Sequence, residues 1–154
     1  MMTSRVPAAV AALLEILRAA PALDGVRIVD GPESTNGTER DMILVGWQPG
    51  AEAAVALTQD FNAAGARTRD EAFDIACYAE SRAGDKDMAL RRARVFELVG
   101  AVEAALRASD AQPEAPTLGG TVLWAHLTAG NLQQLQAEGS LAGLAFTVSC
   151  RARI

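Results

Sequence analysis

Residues 67–82 (RTRDEAFDIACYAESR) carry the pattern that decides the fold of this 154-residue chain. From Phe73 to Ala79 an apolar side chain occupies every second position, and the positions between and after them include Asp74 and Glu80. Successive side chains of a strand point to opposite faces of a sheet, so this alternation is typical of a strand with one face in a core. We therefore predict a long β-strand here.

The segment before this strand predicts its hairpin partner. Residues 53–61 contain helix-favouring alanines, yet Val55, Leu57 and Phe61 keep a period of two. Residues 62–65 (NAAG) supply a plausible turn. A hairpin accounts for residues 53–61 and for the long strand after the turn, so we favour a strand over a helix for 53–61.

Two short apolar runs lie further upstream, at residues 25–30 (GVRIVD) and 42–47 (MILVGW). Residues 31–41 between them form the most polar stretch of the chain and contain Asn36-Gly37. An Asn-Gly pair between apolar runs is a strong turn signal. We expect the two runs to form a hairpin with a long loop.

Apolar residues recur at helical spacing in two places. The first is near the N-terminus, where Ser4 is a candidate N-cap and Pro21 ends the helix. The second follows Asp85 and Asp87, which offer N-cap chemistry. Its single apolar stripe consists of Val95, Leu98, Val99, Val102 and Leu106.

The C-terminal third predicts a second hairpin. Residues 109–120 (SDAQPEAPTLGG) hold two prolines and two glycines, which indicates a linker or extended loop. Residues 121–129 are strand-like, and 131–137 either extend this strand or loop away from it. One side of this strand should carry Leu123, Ala125 and Leu127, and the other side Val122, Trp124 and His126.

A turn at residues 138–143 leads to the last strand, which should have one buried and one wet face. Its buried face is expected to carry Leu144, Phe146, Val148, Cys150 and Ala152. The element order α-β-β-β-β-α-β-β predicts a single α+β domain over residues 1–154. Its antiparallel sheet should have about five to six strands, with an N-terminal helix and one long central helix packed on it.

Charge and composition exclude several classes of function. The formal net charge is −5, which argues against a nucleic-acid clamp and against a polybasic membrane-surface binder. The N-terminal apolar run is interrupted by Glu15 and Arg18 and is too short to span a bilayer, so we expect a cytosolic protein at synthesis rather than a signal peptide. Cys77 and Cys150 lack the spacing of a zinc site or disulfide framework and are expected to be buried thiols.

The sequence contains no G-x-G-x-x-G, G-K-[ST], G-x-S-x-G or H-E-x-x-H motif. The single histidine, His126, lies in a predicted strand beside Trp124, with no nucleophile identifiable by a local motif. The basic cluster is Arg91, Arg92 and Arg94, for which we expect a solvated or subunit-contacting helix face. We predict no catalytic, cofactor-binding or metal-binding residues and no cofactor.

One acidic cluster leaves an enzymatic alternative open. Asp70, Glu71 and Asp74 lie at the start of the predicted long strand, next to Arg67 and Arg69. Like charges can raise the pKa of one carboxyl group and make it a general acid. The adjacent arginines instead favour ion pairs that hold the acids ionised.

Five pieces of the chain, in this order and spacing, resemble tail terminator proteins of siphophage-like viruses that infect actinobacteria. They are residues 65–75 (GARTRDEAFDI), the Gly84-Asp85 step, and residues 95–107 (VFELVGAVEAALR), 116–124 (PTLGGTVLW) and 146–154 (FTVSCRARI). The resemblance extends from the first predicted hairpin to the last residue. This family belongs to the broader class of tail-completion and head–tail joining proteins.

The resemblance implies an α+β structural protein of the virion tail and neck, with no catalytic residues. Such a protein forms a homo-oligomeric ring, typically a hexamer, on the last ring of the tail tube. There it stops tube polymerisation and presents a surface to the head–tail connector or stopper protein. DNA passes through the ring without specific binding, and no membrane is involved. Residues 31–41 resemble the family's long hairpin loop, which would reach a neighbouring subunit or the tube.

Three alternatives remain open. Another neck component, such as a head-closure or connector protein, belongs to the same class. A small cytosolic α+β enzyme would use Asp70, Glu71 and Asp74. A ligand-binding module would place its pocket between the sheet and the central helix.

Overall fold

A computed structural model describes residues 2–33, 41–65, 67–136 and 139–154. In these ranges the helices are α1 (Val6–Ala19) and α2 (Met88–Ala105), with short 3-10 turns at Pro21–Leu23 and Ala115–Thr117. The strands are β1 (Arg27–Asp30), β2 (Asp41–Val45), β3 (Val55–Phe61), β4 (Arg69–Ala83), β5 (Trp124–Gln136) and β6 (Ser140–Arg153). This succession confirms the predicted α+β class with an N-terminal and a central helix.

The described strands form one six-stranded sheet in the order β1-β2-β4-β6-β5. β3 lies off this path and pairs with β4 alongside β2, because β4 is long enough to hold both strands. The antiparallel hairpins β3–β4 and β5–β6 confirm two predictions. β4 and β6 pair along almost their whole length and form the centre of the sheet.

The predicted hairpin between the first two strands is wrong. β1 and β2 run parallel, with Arg27 opposite Met42, so the sheet is mixed rather than wholly antiparallel. Glu33 forms an ion pair with Arg27 at the start of β1, so the chain turns back soon after β1 ends. The Asn36-Gly37 pair on which the hairpin prediction rested lies outside the described residues.

Both helices pack on one face of the sheet, called here the helix-side face. The predicted stripe of α2 is buried, and Asp87 caps the helix by accepting a hydrogen bond from the backbone N–H of Leu90 at 3.1 Å. The helix-side face of β4 and β6 is also buried as predicted. Burial of each large apolar side chain contributes about 1.5–3 kcal/mol to the free energy of unfolding. The buried residues of this face are Phe73, Ile75, Cys77, Ala79, Leu144, Phe146, Val148, Cys150 and Ala152.

The opposite face of the sheet, called here the far face, carries a second apolar cluster. It consists of Met42, Leu44, Tyr78 and Ala145, with Val29 packed against it. The prediction that β6 has one wet face therefore holds only toward its C-terminal end. Between Ala142 and Phe146 the strand is buried on both faces.

β5 differs from its prediction at both ends. The strand begins at Trp124 rather than at residue 121, and before it Val122 is buried whereas Leu123 is 52% exposed. At the other end the strand runs to Gln136, so residues 131–136 extend the strand and do not loop away from it. The predicted turn at 138–143 is shorter, since β6 starts at Ser140.

The segment predicted as a linker or extended loop packs on the core. Ala115 and Leu118 in it are buried, and Leu118 adopts a left-handed backbone conformation at a φ of 48°. It therefore belongs to the domain. Within the described ranges, no helix is both long and apolar enough to cross a bilayer.

Candidate functional site

The structure separates the three acids of the enzymatic alternative. Glu71 lies on the helix-side face and is fully buried, whereas Asp70 and Asp74 lie on the far face of β4. Neighbouring residues of a strand point to opposite faces, so Asp70 and Glu71 cannot share a site. The cluster that the sequence suggests is not assembled.

Glu71 instead ties the N-terminal segment to the β3–β4 hairpin. Its carboxylate accepts hydrogen bonds from the backbone N–H of Arg5 at 2.8 Å and from Gln59 Nε2 at 2.6 Å. Burial by itself raises the pKa of Glu71, but hydrogen bonds from Ser4, Gln59 and Arg5 together hold the pKa below its ordinary value. Arg69 supports the arrangement by donating to Gln59 Oε1 at 3.0 Å. This is a structural carboxylate that remains ionised.

The far-face acids are engaged with β6. Asp70 accepts a hydrogen bond from Arg153 Nε at 2.9 Å and lies 3.7 Å from Arg151 Nη2. The hydrogen bond from Arg153, aided by Arg151, lowers the pKa of Asp70. Asp74 accepts a hydrogen bond from Ser149 Oγ at 2.6 Å. The arginines hold the carboxylate of Asp70 in the charged form, which does not favour a general acid.

The histidine and the two thiols lie in different environments. His126 is exposed on β5 and stacks on Trp124, with ring centroids 4.6 Å apart. Cys77 and Cys150 are buried, and burial raises the pKa of each thiol to about 12. The thiolate is the nucleophilic form, so both cysteines are unreactive near neutral pH.

The basic cluster of α2 joins the helix to the sheet. Arg94 donates to Asp41 Oδ2 at 3.0 Å and also pairs with Glu97. Arg91 donates to Ser81 Oγ at 3.0 Å, and Arg92 donates to Gln134 Oε1 at 2.7 Å. These contacts show a tethering role for the cluster, where the sequence suggested a solvated or subunit-contacting face.

A groove of about 550 Å³ lies between α2 and β5, where the ligand-binding alternative would need a pocket. Its walls are mainly apolar and include Phe96, Val99, Leu132 and Phe146. A ligand pocket usually adds several convergent polar groups. The one charged side chain in this lining is Glu103, whose carboxylate pairs with Arg107 at 2.8 Å. The groove is an apolar surface rather than a built ligand site.

The most distinctive surface feature is a pair of unpaired strand edges. β5 ends the sheet on one side and β3 ends it on the other, beside β4. We call the outer sides of these strands the β5 edge and the β3 edge. Large apolar side chains are exposed along both, and this group comprises Leu57, Phe61, Trp124, Leu132 and Leu135.

Sequence reasoning placed Leu57 and Phe61 on a strand but missed their exposure. Leu57 is 47% and Phe61 is 68% exposed, although both lie on the helix-side face. An apolar alternation identifies a strand but not whether a helix covers it. A short strand that follows a loop and carries Asp60 near its end is the one available signal of an edge.

No group of three or more potential metal-ligating side chains occurs within the ranges that the structure describes. Comparison of the sequence with protein-family models finds no matching family, and comparison with curated proteins finds no match.

Proposed function

We propose that this chain is a structural virion protein of a tailed phage that caps the tail tube, stops its polymerisation and joins the tail to the head connector. The observation that carries the proposal is the pair of exposed apolar edges at opposite sides of one sheet. The acidic residues that the enzymatic alternative would use are engaged instead in hydrogen bonds and ion pairs within the fold. The order of the resembling segments supports the same conclusion.

Two different edges on one molecule suit a ring. A closed ring needs heterologous contacts, in which one surface meets a different surface of the next copy. An exposed edge strand is a template for pairing with another chain, and proteins normally blunt it with charge or proline. β5 has neither along its thirteen residues. Its partner under this proposal is another copy of the chain, in a homo-oligomer expected to be a hexamer.

The net charge of −5 fits the remaining partners. DNA that must pass through a ring is repelled rather than retained by an acidic protein, because phosphate binding depends on lysine and arginine. The ring would contact the tail tube protein on one side and the connector or stopper protein on the other. The site of action is the tail and neck of the virion, with assembly in the host cytoplasm.

The direct test combines the purified chain with the tail tube protein encoded in the same genome. We expect tubes to stop growing, and electron microscopy to show one ring-shaped cap at one end. Light scattering should detect a ring-sized oligomer, either free or formed on tubes. A monomer that leaves tube length unchanged would contradict the proposal. Binding to the connector without binding to tubes would instead favour another neck component.

The enzymatic alternative has its own test in Asp74→Ala. This variant removes an exposed hydrogen bond with Ser149, so we expect a cost of at most about 1.5 kcal/mol and unchanged capping of tubes. Tube length distributions with the wild-type and variant proteins are the measurement. A catalytic turnover of the wild-type protein that Asp74→Ala abolishes would favour the enzyme.

A further inference from the structure

We propose that copies of this chain join head to tail through the β5 edge of one copy and the outer side of β1 of the next, called here the β1 edge, so that the strands of both copies form one continuous sheet. The inference deepens the proposed function by assigning the surfaces of self-association. It rests on that function only for the closure of the chain of copies into a ring.

β1 is the outermost strand on its side of the sheet. β2 and β3 pair with different parts of β4, and β1 lies outside β2. A copy that approaches from this side therefore meets β1 first. β3 stays one strand width behind β1, so it does not collide with the first half of the neighbouring β5.

Strand direction is the first argument. β5 runs antiparallel to β6, and β6 runs antiparallel to β4, so β5 points in the same direction as β4. β2 runs antiparallel to β4, and β1 runs parallel to β2, so β1 points in the opposite direction. A second copy shifted sideways, with its helices on the same face, therefore brings its β1 antiparallel to β5.

The register of the two edges is the second argument. Cross-strand partners connect Ile28 through β2, β4 and β6 to Leu132, and connect Val29 to Asn131 in the same way. A sideways shift without slip sets the first pair side by side on the helix-side face and the second pair on the far face. Residues 130–136 of β5 are exposed along this stretch. β5 carries no charged side chain, so the charges of β1 meet no like charge across the boundary.

The backbone groups of β5 that point outward follow from the hydrogen bonds of β4. The carbonyl of Ala76 accepts from the N–H of Gly46 at 2.7 Å, and the N–H of Ala76 donates to the carbonyl of Ala54 at 3.0 Å. Ala76 therefore points toward β2 and β3. Successive residues of a strand point to alternate sides, and this alternation carried through the registers of β6 and β5 directs the N–H and C=O of Leu132 outward.

The outward groups of β1 match them. The N–H of Gly31 donates to the carbonyl of Val45 at 2.7 Å, so the same alternation directs the N–H and C=O of Ile28 outward. Arg18 Nη2 donates to this carbonyl at 3.2 Å from outside the sheet. A carbonyl oxygen has two lone pairs, so this bond leaves room for a second donor. Ile28 and Leu132 therefore face each other as a hydrogen-bonded pair.

The surfaces beside the paired strands are the third argument. Leu132 lines the apolar groove of about 550 Å³ between α2 and β5, together with Phe96. Arg18 lines a concave surface of about 480 Å³ on the outer side of α1, together with small side chains such as Ala11. Because Arg18 is bound to Ile28 and Ile28 lies beside Leu132, the shift brings this concave surface to the groove.

The spacing of strands and helices leaves room for Phe96 at this boundary. The five strands on the path from β1 to β5 repeat after roughly 24 Å at about 4.8 Å per strand. Two helices packed side by side occupy roughly 16–20 Å. The helix layer therefore has a channel at each boundary between copies. Phe96 is 52% exposed in the single copy and lies where it would fill this channel.

Disulfide trapping tests the pairing directly. Val29 and Asn131 would lie opposite each other, and a disulfide requires Cα atoms within about 7 Å. We therefore expect an equal mixture of the single variants Val29→Cys and Asn131→Cys to yield cross-linked dimers under mild oxidation. Each single variant alone should yield none, because a heterologous contact never sets a residue against its own copy. Ala56→Cys, at an exposed position of β3, is the control, and an equal yield from its mixture with Asn131→Cys would overturn the inference.

The native thiols do not interfere, since Cys77 and Cys150 are buried. Arg27→Cys and Gln133→Cys extend the test to four mixtures, which also detect a slip of two residues in either direction. A single variant that cross-links to itself shows a two-fold contact and overturns the inference. Oligomers that form without a cross-link in any of the four mixtures overturn it as well. A wild-type chain that remains monomeric with and without tubes has the same consequence.

A side-chain truncation provides the second measurement. Phe96→Ala should raise the protein concentration at half-association about tenfold, because it leaves the channel between the helices empty. Leu90→Ala removes a similarly exposed side chain of α2 that does not line the groove, and it should leave association unchanged. Equal effects of both variants would contradict the assignment. Tube capping without edge cross-links would reject this inference alone, and edge cross-links without capping would reject the proposed function alone.

Discussion

The Gly143→Ala variant is expected to unfold at a lower denaturant concentration than the wild-type protein, with a loss of about 1–3 kcal/mol in the free energy of unfolding. A Cβ atom at this position would lie 1.9 Å from Tyr78 Oη and 2.5 Å from Tyr78 Cζ. Carbon atoms in van der Waals contact are about 3.5–4.0 Å apart. One of the two long central strands must therefore shift, or the tyrosine must leave its place.

Tyr78 cannot easily leave. Its side chain lies against β6 on the far face, is 6% exposed and belongs to the cluster with Met42 and Leu44. Trp47 packs edge-on against its ring, with centroids 5.8 Å apart. Displacement of the ring would expose this cluster to water, since burial of an aromatic side chain is one of the larger stabilising contributions in a core.

Gly100→Ala is the matched control, because it introduces the same methyl group into a helix where nothing lies within 4 Å. It should increase the free energy of unfolding by roughly 0.5–1 kcal/mol, since alanine is the better helix former. In the Tyr78→Leu background the cost of Gly143→Ala should shrink. Urea denaturation of the four variants measures both effects, and equal costs in the two backgrounds would contradict the steric explanation.

The helix-side core was predictable from the sequence because it depends on local periodicity. Phe146 and Val148 alternate with polar residues, and the α2 stripe recurs at helical spacing, so each element reveals its own buried face. The far-face cluster was not predictable in this way. Tyr78 lies on the face of β4 that also carries Asp74, and only the assembled sheet shows that Met42 and Leu44 lie beside it.

The direction of β2 relative to β1 was also predicted wrongly. The Asn36-Gly37 signal is local, whereas the direction of β2 depends on where a longer connection leads the chain. The contact between Glu33 and Arg27 forms only in the folded chain, and no periodic pattern in the sequence indicates it. The exposure of Phe61 was not predictable for the same reason, because it depends on whether a helix covers β3 in the folded chain.

Of the candidate site, one correction could have been made from the sequence alone. Asp70 and Glu71 are consecutive in a strand that was correctly predicted, so their side chains must lie on opposite faces. What could not be foreseen is the partner of Glu71. Its carboxylate meets the backbone of Arg5, which is 66 residues away along the chain.

Glu71→Ala is expected to cost about 2–3 kcal/mol of the free energy of unfolding. Glu71 is the one charged side chain that is fully buried among the described residues. Its removal leaves the backbone N–H of Arg5 without an acceptor and takes away one of the two acceptors of Gln59 Nε2, the other being the carbonyl of Thr3 at 2.9 Å. A buried donor without a partner costs the full desolvation of that group.

The Glu71→Gln variant removes the charge of the side chain and keeps its shape. The amide oxygen can still accept from the backbone of Arg5, but its NH₂ group faces the Nε2 donor of Gln59. Gln59 cannot simply rotate its amide, because its oxygen accepts from Arg69 at 3.0 Å. We therefore expect a cost of about 1–2 kcal/mol, between wild type and Glu71→Ala. Equal stability of wild type and Glu71→Gln would show that the carboxylate charge is not needed.

The pH dependence of stability distinguishes the two possible effects of burying Glu71. The pKa of Glu71 is lowered in the folded protein from its ordinary value of 4.5. A lowered folded-state pKa means that the unfolded chain binds the proton more readily, so the stabilisation is present above the ordinary pKa and is lost as the pH falls through the folded-state pKa. The stability difference between wild type and Glu71→Gln should therefore be constant near neutral pH and shrink below about pH 4. Asp70 titrates in both proteins and cancels from the difference. A difference that grows on acidification would mean that burial outweighs the hydrogen bonds and that Glu71 is strained in its charged form.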